Sequence, residues 1–367
     1  MQSLVYTQPN EVQLLERDEP VVADSEVLLR IDAAGICGSD MHAYHGHDPR
    51  RLPGLVLGHE FAATVIESRA TGWLAGQRVT GNPLITCGAC DYCLQGRDNL
   101  CERRTMIGMT RPGAFAQRMS IPARCLIELP ATLSAQAAAL TEPAATALHA
   151  INLSMRALVR PLPECRVLVL GGGAIGMLSA LLLRHYGVAA LHVAETNPLR
   201  RASVERHARC TSFDPREGAA AESSFEFVID AVGSAATRKA ALAAVAPGGE
   251  VMHNGLPDCA SEIDMRKLTL AEITLLGTYT YSQVDLRATV AALARGAFGD
   301  LSWVETRPLA DGASAFADLH AGRTASAKVV LLPQGGESRD HDCSLHPGFR
   351  ACRVADTCRR TSPIAHA

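Results

Sequence analysis

The chain carries no excess of charge of one sign. Its 35 Lys and Arg stand against 38 Asp and Glu, a net charge of −3, and no dense basic block occurs along it. That balance leaves no electrostatic footprint for DNA or RNA. An uninterrupted hydrophobic run of membrane-spanning length is also missing. The longest, Val167 to Leu183, contains Gly171, Gly172, Gly173 and Gly176 and is bracketed by Arg166 and Arg184. Gly172 and Gly176 sit at the small-xxx-small spacing of membrane helices. The run nevertheless reads better as a strand, a glycine turn and a buried helix, so no membrane partner is expected. A third absence lies at the start, where Met1-Gln-Ser-Leu-Val-Tyr-Thr-Gln has neither the basic nor the apolar region of a secretion signal. The cytoplasm is the expected compartment. There the twelve cysteines serve as metal ligands or inert core residues, not as a disulfide framework.

What is present is 367 residues of ordinary globular composition, 47% hydrophobic and 20% charged. From Leu4 to about Leu129, short apolar segments such as Val27–Ile31, Ala62–Ile66 and Cys125–Leu129 are broken by Gly and Pro. They predict a β-rich, partly closed barrel or sandwich. Ser134 to Leu153 is Ala-rich and helical, and Pro161 and Pro163 mark a boundary. Beyond it, strands near 167–170, 189–193, 225–229, 250–253 and 273–276 alternate with helices near 174–185, 198–208 and 235–244. Such alternation predicts an α/β doubly wound parallel sheet. A helix near 284–295 and a last strand near 328–332 follow. The polar segment 334–367, with Cys343, His346, Cys352 and Cys358, is expected to be a flexible tail.

Cys87-x2-Cys90-x2-Cys93-x7-Cys101 is the strongest local signal. Four thiols at short spacing can wrap a tetrahedral Zn²⁺ with every position filled by protein, which predicts a structural zinc. A zinc-ribbon nucleic-acid module would want Lys, Arg and aromatics around it, whereas Asp91, Asp98 and Glu102 intervene.

The second signal is Gly171-Gly-Gly173-Ala174-Ile175-Gly176, directly after Val167–Leu170 and opening a helix. Gly171 allows the tight turn, Gly173 lets a pyrophosphate approach the backbone, and Gly176 lets helix and sheet pack closely. The helix N-terminus offers oriented N–H groups to the phosphates. Glu195, ending the next strand, would accept from the ribose hydroxyls and repel a 2′-phosphate, so NAD is expected over NADP. Arg200 and Arg201 lie close enough to soften that preference.

A third constellation lies upstream in Cys37-Gly-Ser39-Asp40-Met-His42, Gly58-His59-Glu60 and Thr141-Glu142-Pro143. Together these hold the thiolate, imidazole and carboxylate ligands that Zn²⁺ uses when one position stays open. Spacing does not show that residues 37, 59 and 142 converge.

With these motifs, Ala231-Val232-Gly233, Pro247-Gly248-Gly249 and Leu276-Gly277-Thr278-Tyr279, the chain resembles the zinc-dependent medium-chain dehydrogenase/reductase superfamily from about Leu4 to Leu332. It looks nearest to the sorbitol (polyol) and threonine dehydrogenase groups. The resemblance implies a chaperonin-10-like β-barrel catalytic domain over residues 1–150, with a zinc lobe at 86–102. An NAD-binding Rossmann domain over 151–286 and a return to the catalytic domain over 287–333 would follow. It implies a catalytic zinc on Cys37 and His59, with Glu60 or Glu142 completing the shell. Asp40 would hold the second ring nitrogen of His59. Ser39 and His42 match a proton relay, Thr146 the nicotinamide side, Arg200 the adenine side, and Val232 a cofactor-binding position. The implied activity is NAD-dependent oxidation of a small-molecule secondary alcohol, polyols or sugar alcohols leading, in a homo-dimer or homo-tetramer. The alternatives are an amino-alcohol substrate of the L-threonine type and a non-catalytic dinucleotide-binding regulator. The basic loop His45–Arg51 could meet a phosphate or carboxylate on the substrate, or be a solvated loop. Phe115 and Tyr44 are candidate pocket liners, with packing the stronger reading of each.

Overall fold

The computed structural model describes residues 1–334. The expected tail, with Cys343, His346, Cys352 and Cys358, falls from residue 335 onward outside the described residues. Among the described residues, no helix is long and apolar enough to cross a membrane.

Two sheets organise the chain. The first has seven strands, running Leu126–Glu128, Arg78–Gly81, Glu60–Ser68, Glu26–Gly35, Lys328–Leu332 and Val304–Pro308, with Arg118–Pro122 also on Glu26–Gly35. Glu26–Gly35 is its spine. Its first half pairs with Arg118–Pro122, its whole length with Glu60–Ser68, and its last residues with Lys328–Leu332. Register shifts at Leu28/Leu29 and Ile31/Ala33 mark the bulges that bend a sheet of this kind. Gly35 opposes both Glu60 and Val330, so three segments distant in sequence meet at one sheet end.

The second sheet is all parallel, in the order Thr211–Phe213, Ala190–Ala194, Arg166–Leu170, Phe225–Asp230, Val245–His253, Thr274–Gly277. It is the doubly wound arrangement, with its order reversing between Arg166–Leu170 and Phe225–Asp230. Strands buried on both faces feed two apolar clusters. Val167, Val169, Phe227, Ile229 and Met252 enter one, and Leu168, Leu170, Val228 and Val251 enter the other. At the glycine turn Gly171 has φ +98°, and a Cβ on Gly176 would collide with the Gly171 carbonyl. Only glycine satisfies both positions.

The Ala-rich helix expected over 134–153 is two helices, Ala135–Ala138 and Thr141–Ser154. Pro143 has no N–H to donate and belongs in a first helical turn, so the second helix starts just ahead of it. The strand Val245–His253 is longer than expected and takes in Pro247-Gly248-Gly249, where a register shift against Phe225–Asp230 accommodates the missing donor.

Candidate active site

Cys37 follows the end of the spine strand and precedes the short helix Gly38–Tyr44. Asp40 in the first turn turns back to accept the Cys37 N–H at 3.0 Å, which fixes where the thiol leaves the backbone. His59 and Glu60 open the neighbouring strand, and the Gly35–Glu60 register sets them beside Cys37. One donor atom from each of Cys37, His59 and Glu60 lies within 4.8 Å of the others. His59 is 2% exposed and Glu60 wholly buried.

The Asp40 carboxylate, fully buried, stands 3.5 Å from His59 Nδ1, and neither of the two facing atoms has another partner. Burial opposes a charged imidazole. Asp40 and then Cys37 outweigh it and hold the His59 pKa well above the ordinary value. With Nδ1 turned to Asp40, Nε2 is the nitrogen left for a ligand bond, the usual arrangement of a metal-binding histidine. Thiolate, imidazole and carboxylate converging in a dry place fit a catalytic zinc that keeps one position open.

Two residues here escaped the sequence reading. Lys328 begins the strand Lys328–Leu332 and is 1% exposed. Its Nζ donates to both Glu60 oxygens at 2.7 Å and to the Ile36 carbonyl at 2.8 Å. A charged residue heading an otherwise apolar strand was the available signal. The other is Tyr281, wholly buried, whose hydroxyl donates to Glu142 Oε1 at 3.0 Å. Nothing in its local sequence marks it. Glu142, on the first turn of Thr141–Ser154, lies outside the 4.8 Å group of donor atoms. Burial raises its pKa to about 7, against the pull of His59. Thr146 follows one turn later, half-buried.

Ser39 and His42 share the helix of Asp40, both half-buried. Arg51, read as loop charge, is 3% exposed. It donates to the carbonyls of Gly108 and Ser39, to Ser39 Oγ at 3.3 Å and to Asp48 at 3.0 Å. It braces the Ser39 segment and has no free face for substrate. Phe115 and Tyr44 pack on Phe316 at ring separations of 6.0 and 5.3 Å, inside the core.

At the end of the parallel sheet, Glu195 accepts the Gly172 N–H on one oxygen and the Asn197 N–H on the other, each at 2.7 Å. It thus holds the glycine turn. A Cβ on Gly173 would meet nothing within 4 Å, which leaves room over the turn and the half-buried Ala174 and Ile175. Val232 is 37% exposed beside Gly171. Arg200 keeps a buried Nε without a partner. Arg201 is occupied by the carbonyls of Glu195 and Thr196 and by Asp214.

Cys87, Cys90, Cys93 and Cys101 also form one group of donor atoms. Cys90 and Cys93 sulfurs lie 3.5 Å apart and those of Cys87 and Cys93 3.9 Å. Tetrahedral Zn–S bonds of roughly 2.3 Å set an S···S spacing of about 3.8 Å, so the four fit a closed zinc site. The Ala89 N–H, followed by further donors, pulls the Cys87 thiol down to about 6.

Residues 23–131 match the model of the alcohol dehydrogenase GroES-like domain, and residues 174–295 that of the zinc-binding dehydrogenases. The chain is 32% identical over 307 residues to an L-galactonate-5-dehydrogenase of Escherichia coli (strain K12), covering 81% of this chain and 88% of the relative. It is 29% identical over 348 residues to an L-threonine 3-dehydrogenase of Chelativorans sp. (strain BNC1), covering 90% and 98%. A putative zinc-binding dehydrogenase from Sinorhizobium meliloti 1021, solved bound to NADP, superposes with a TM-score of 0.81 at 28% identity, over 90% of this chain and 99% of that one.

Proposed function

Because this chain belongs to the zinc-dependent medium-chain alcohol dehydrogenases, it oxidises an alcohol with a nicotinamide dinucleotide, and we propose that the alcohol is secondary and carried on a polyol-like skeleton. The buried Cys37–His59–Glu60 group carries the reading. When bound there, zinc supplies Lewis acidity that brings an alcohol's pKa toward neutrality.

Cys37 and His59 hold the metal, and either Glu60 or Glu142 completes the shell. Asp40 fixes the His59 ring. Ser39 Oγ takes the hydroxyl proton and His42, on the same helix, passes it outward. Arg51 keeps Ser39 in place for that transfer. Gly173 to Gly176 receive the pyrophosphate on backbone N–H groups, with Ala174 and Ile175 in the first helical turn, while Gly171 and Gly172 shape the turn through their own bonds to Ala194 and Glu195. Thr146 would bear on the nicotinamide, which when bound supplies the hydride acceptor, and Val232 would flank the cofactor beside Gly171. Glu195 and Arg200 line the adenosine side, and the Glu195 carboxylate disfavours a 2′-phosphate, so NAD is preferred.

An amino-alcohol substrate is the second reading, favoured by the likeness to an L-threonine 3-dehydrogenase over 90% of the chain. A cytoplasmic location goes with the proposal. It is supported by the nine described cysteines, all of them free thiols. A dimer or tetramer goes with it too, supported by the open sheet edge at Thr274–Gly277 beside exposed Leu256, Leu270 and Leu275.

The test is NAD⁺ and NADP⁺ reduction by the zinc-loaded enzyme with L-galactonate, galactitol, L-threonine and 2-propanol. Turnover of the polyol skeletons with NAD⁺ is expected. Turnover of threonine alone selects the second reading. Silence across the panel, with zinc and NAD⁺ both bound, leaves the regulatory alternative.

A further inference from the structure

The segment Thr278–Tyr281 carries a strained backbone position next to Tyr281. Thr280 is β-branched yet sits at φ +49°, a left-handed conformation that such residues rarely adopt. Its hydroxyl and that of Thr278 are buried without partners. Strain and unmet polar groups persist where the surroundings over-determine them, and they concentrate at functional sites. On one side of Thr280, Tyr281 reaches Glu142. On the other, Tyr279 is the adjacent residue, its Cα about 3.8 Å from that of Thr280.

Tyr279 is anchored by Asn99, which donates to its carbonyl at 2.8 Å. The Arg104 guanidinium lies over its ring, 4.9 Å from the centroid. Arg104 is exposed, pairs with no carboxylate among the described residues, and donates only to the Cys101 carbonyl at 2.8 Å. Arg50, exposed on the loop after the helix Gly38–Tyr44, comes within electrostatic reach of Tyr279. Arg50 binds Asp48 at 2.8 and 3.0 Å through Nε and Nη2, leaving Nη1 uncommitted. Asp48 is also claimed by Arg51 at 3.0 Å. One carboxylate therefore faces two guanidiniums, and with Arg104 the local balance is two positive charges in excess.

We propose that Arg50 and Arg104, with Tyr279 between them, form a subsite for an anionic group on the substrate, a carboxylate or a phosphate carried on the alcohol's own skeleton. The inference rests on the polyol reading and narrows it to acids and phosphate esters. Arginine suits this role because its planar fork matches both anions and stacks on an aromatic face.

The experiment compares three galacto-configured substrates that differ only at one end: the aldonate L-galactonate, the alditol and the alditol 1-phosphate. Steady-state kinetics use the zinc-loaded full chain and the variants Arg50→Gln, Arg104→Gln and Arg104→Lys, with melting temperature as the folding control. The expected result is a KM for one anionic substrate well below that of the alditol. Each Gln variant raises that KM about 10- to 100-fold, as loss of a charged hydrogen bond should. The alditol KM stays within about twofold, and Arg104→Lys retains most of the preference. Higher salt weakens the anion's advantage alone. Whichever anion wins names the group, carboxylate or phosphate. Equal losses on all three substrates, or a parent that handles the neutral alditol as well as either anion, overturn the subsite while leaving the polyol reading intact. If no alcohol turns over, the polyol reading falls instead. Calorimetry of L-galactonate with the enzyme–NAD⁺ complex then decides the subsite: binding lost in Arg104→Gln supports it, and no binding by the parent overturns it.

Discussion

The two groups of side chains that could hold a metal are built on opposite plans. The cysteine lobe draws all four thiols from one short loop between Cys87 and Cys101, and three of them remain half-exposed. The Cys37–His59–Glu60 group joins the start of a helix that follows one strand to the start of the neighbouring strand, and its Glu60 is held by a lysine from the far end of the sequence. The lobe contains four ligands and no buried counter-charge. The proposed catalytic group is wrapped in paired buried charges, Asp40 on His59 and Lys328 on Glu60. A closed site of four thiolates needs only its metal to be stable. A site with an open position must hold its remaining ligands by other means, and buried charges persist only when paired.

The largest expected difference between the two lies in the responses to Cys37→Ser and Cys93→Ser. Removing Cys37 should lower kcat by at least about a thousandfold, since Lewis-acid stabilisation is worth several kcal/mol and each 1.36 kcal/mol is a decade. NAD⁺ affinity and melting temperature should barely move. Cys93→Ser should do the reverse, lowering the melting temperature by several degrees while the folded fraction keeps most of its kcat. The paired measurement is turnover per folded molecule beside a thermal melt, and the same response from both variants would erase the distinction.

Next in size is Lys328→Met. It leaves Glu60 as a buried carboxylate without its partner, a loss of roughly 3–5 kcal/mol. Adding Glu60→Gln should recover much of that stability without recovering activity, because the uncompensated charge is then gone. Denaturant unfolding of the single and double variants checks this, and a Lys328→Met protein as stable as the parent would show that the pair is not what holds Glu60.

The same contrast explains what was legible in the sequence. The cysteine lobe is local, so its spacing alone announced a metal site. The glycine turn was readable for the same reason, with strand, turn and helix contiguous and Glu195 close behind. Residues 37 and 59 could be joined only by family resemblance, because their meeting depends on the register that sets Gly35 against Glu60. Lys328 enters through the pairing of Val330 with Gly35, a partner almost three hundred residues away in sequence. Arg51 looked like loop charge because its acceptors, Ser39 and Gly108, become neighbours only in the fold. Tyr281 carried no signal, since a tyrosine before a helix has no pattern that predicts its burial against a glutamate.

The smallest expected effect tests the segment where the two regions meet. The helix Gln283–Ala294 begins just after Tyr281. From the lobe side, Asn82 donates to the Gln283 side chain at 3.1 Å, and Asp98 accepts the Gln283 N–H at 3.2 Å. From the Glu142 helix, His149 at 2.7 Å and Asn152 at 2.9 Å grip Asp285, and Ser282, the cap of its own helix, adds a bond at 2.5 Å. Burial works to raise the Asp285 pKa, but those three partners carry it down to about 2 from 3.8. A carboxyl depressed on folding stabilises fully above its unfolded pKa and loses that contribution as pH falls through the folded one. Discounted for a half-exposed group, the contribution is about 1 kcal/mol. Asp285→Asn should therefore melt a few degrees below the parent at pH 5 to 7 and converge with it between about pH 4 and 2. Parallel melts across that range, with a constant gap or none, would mean that the grip on Asp285 does not fasten this helix. Tyr281 would then hold its place against Glu142 through its own packing alone.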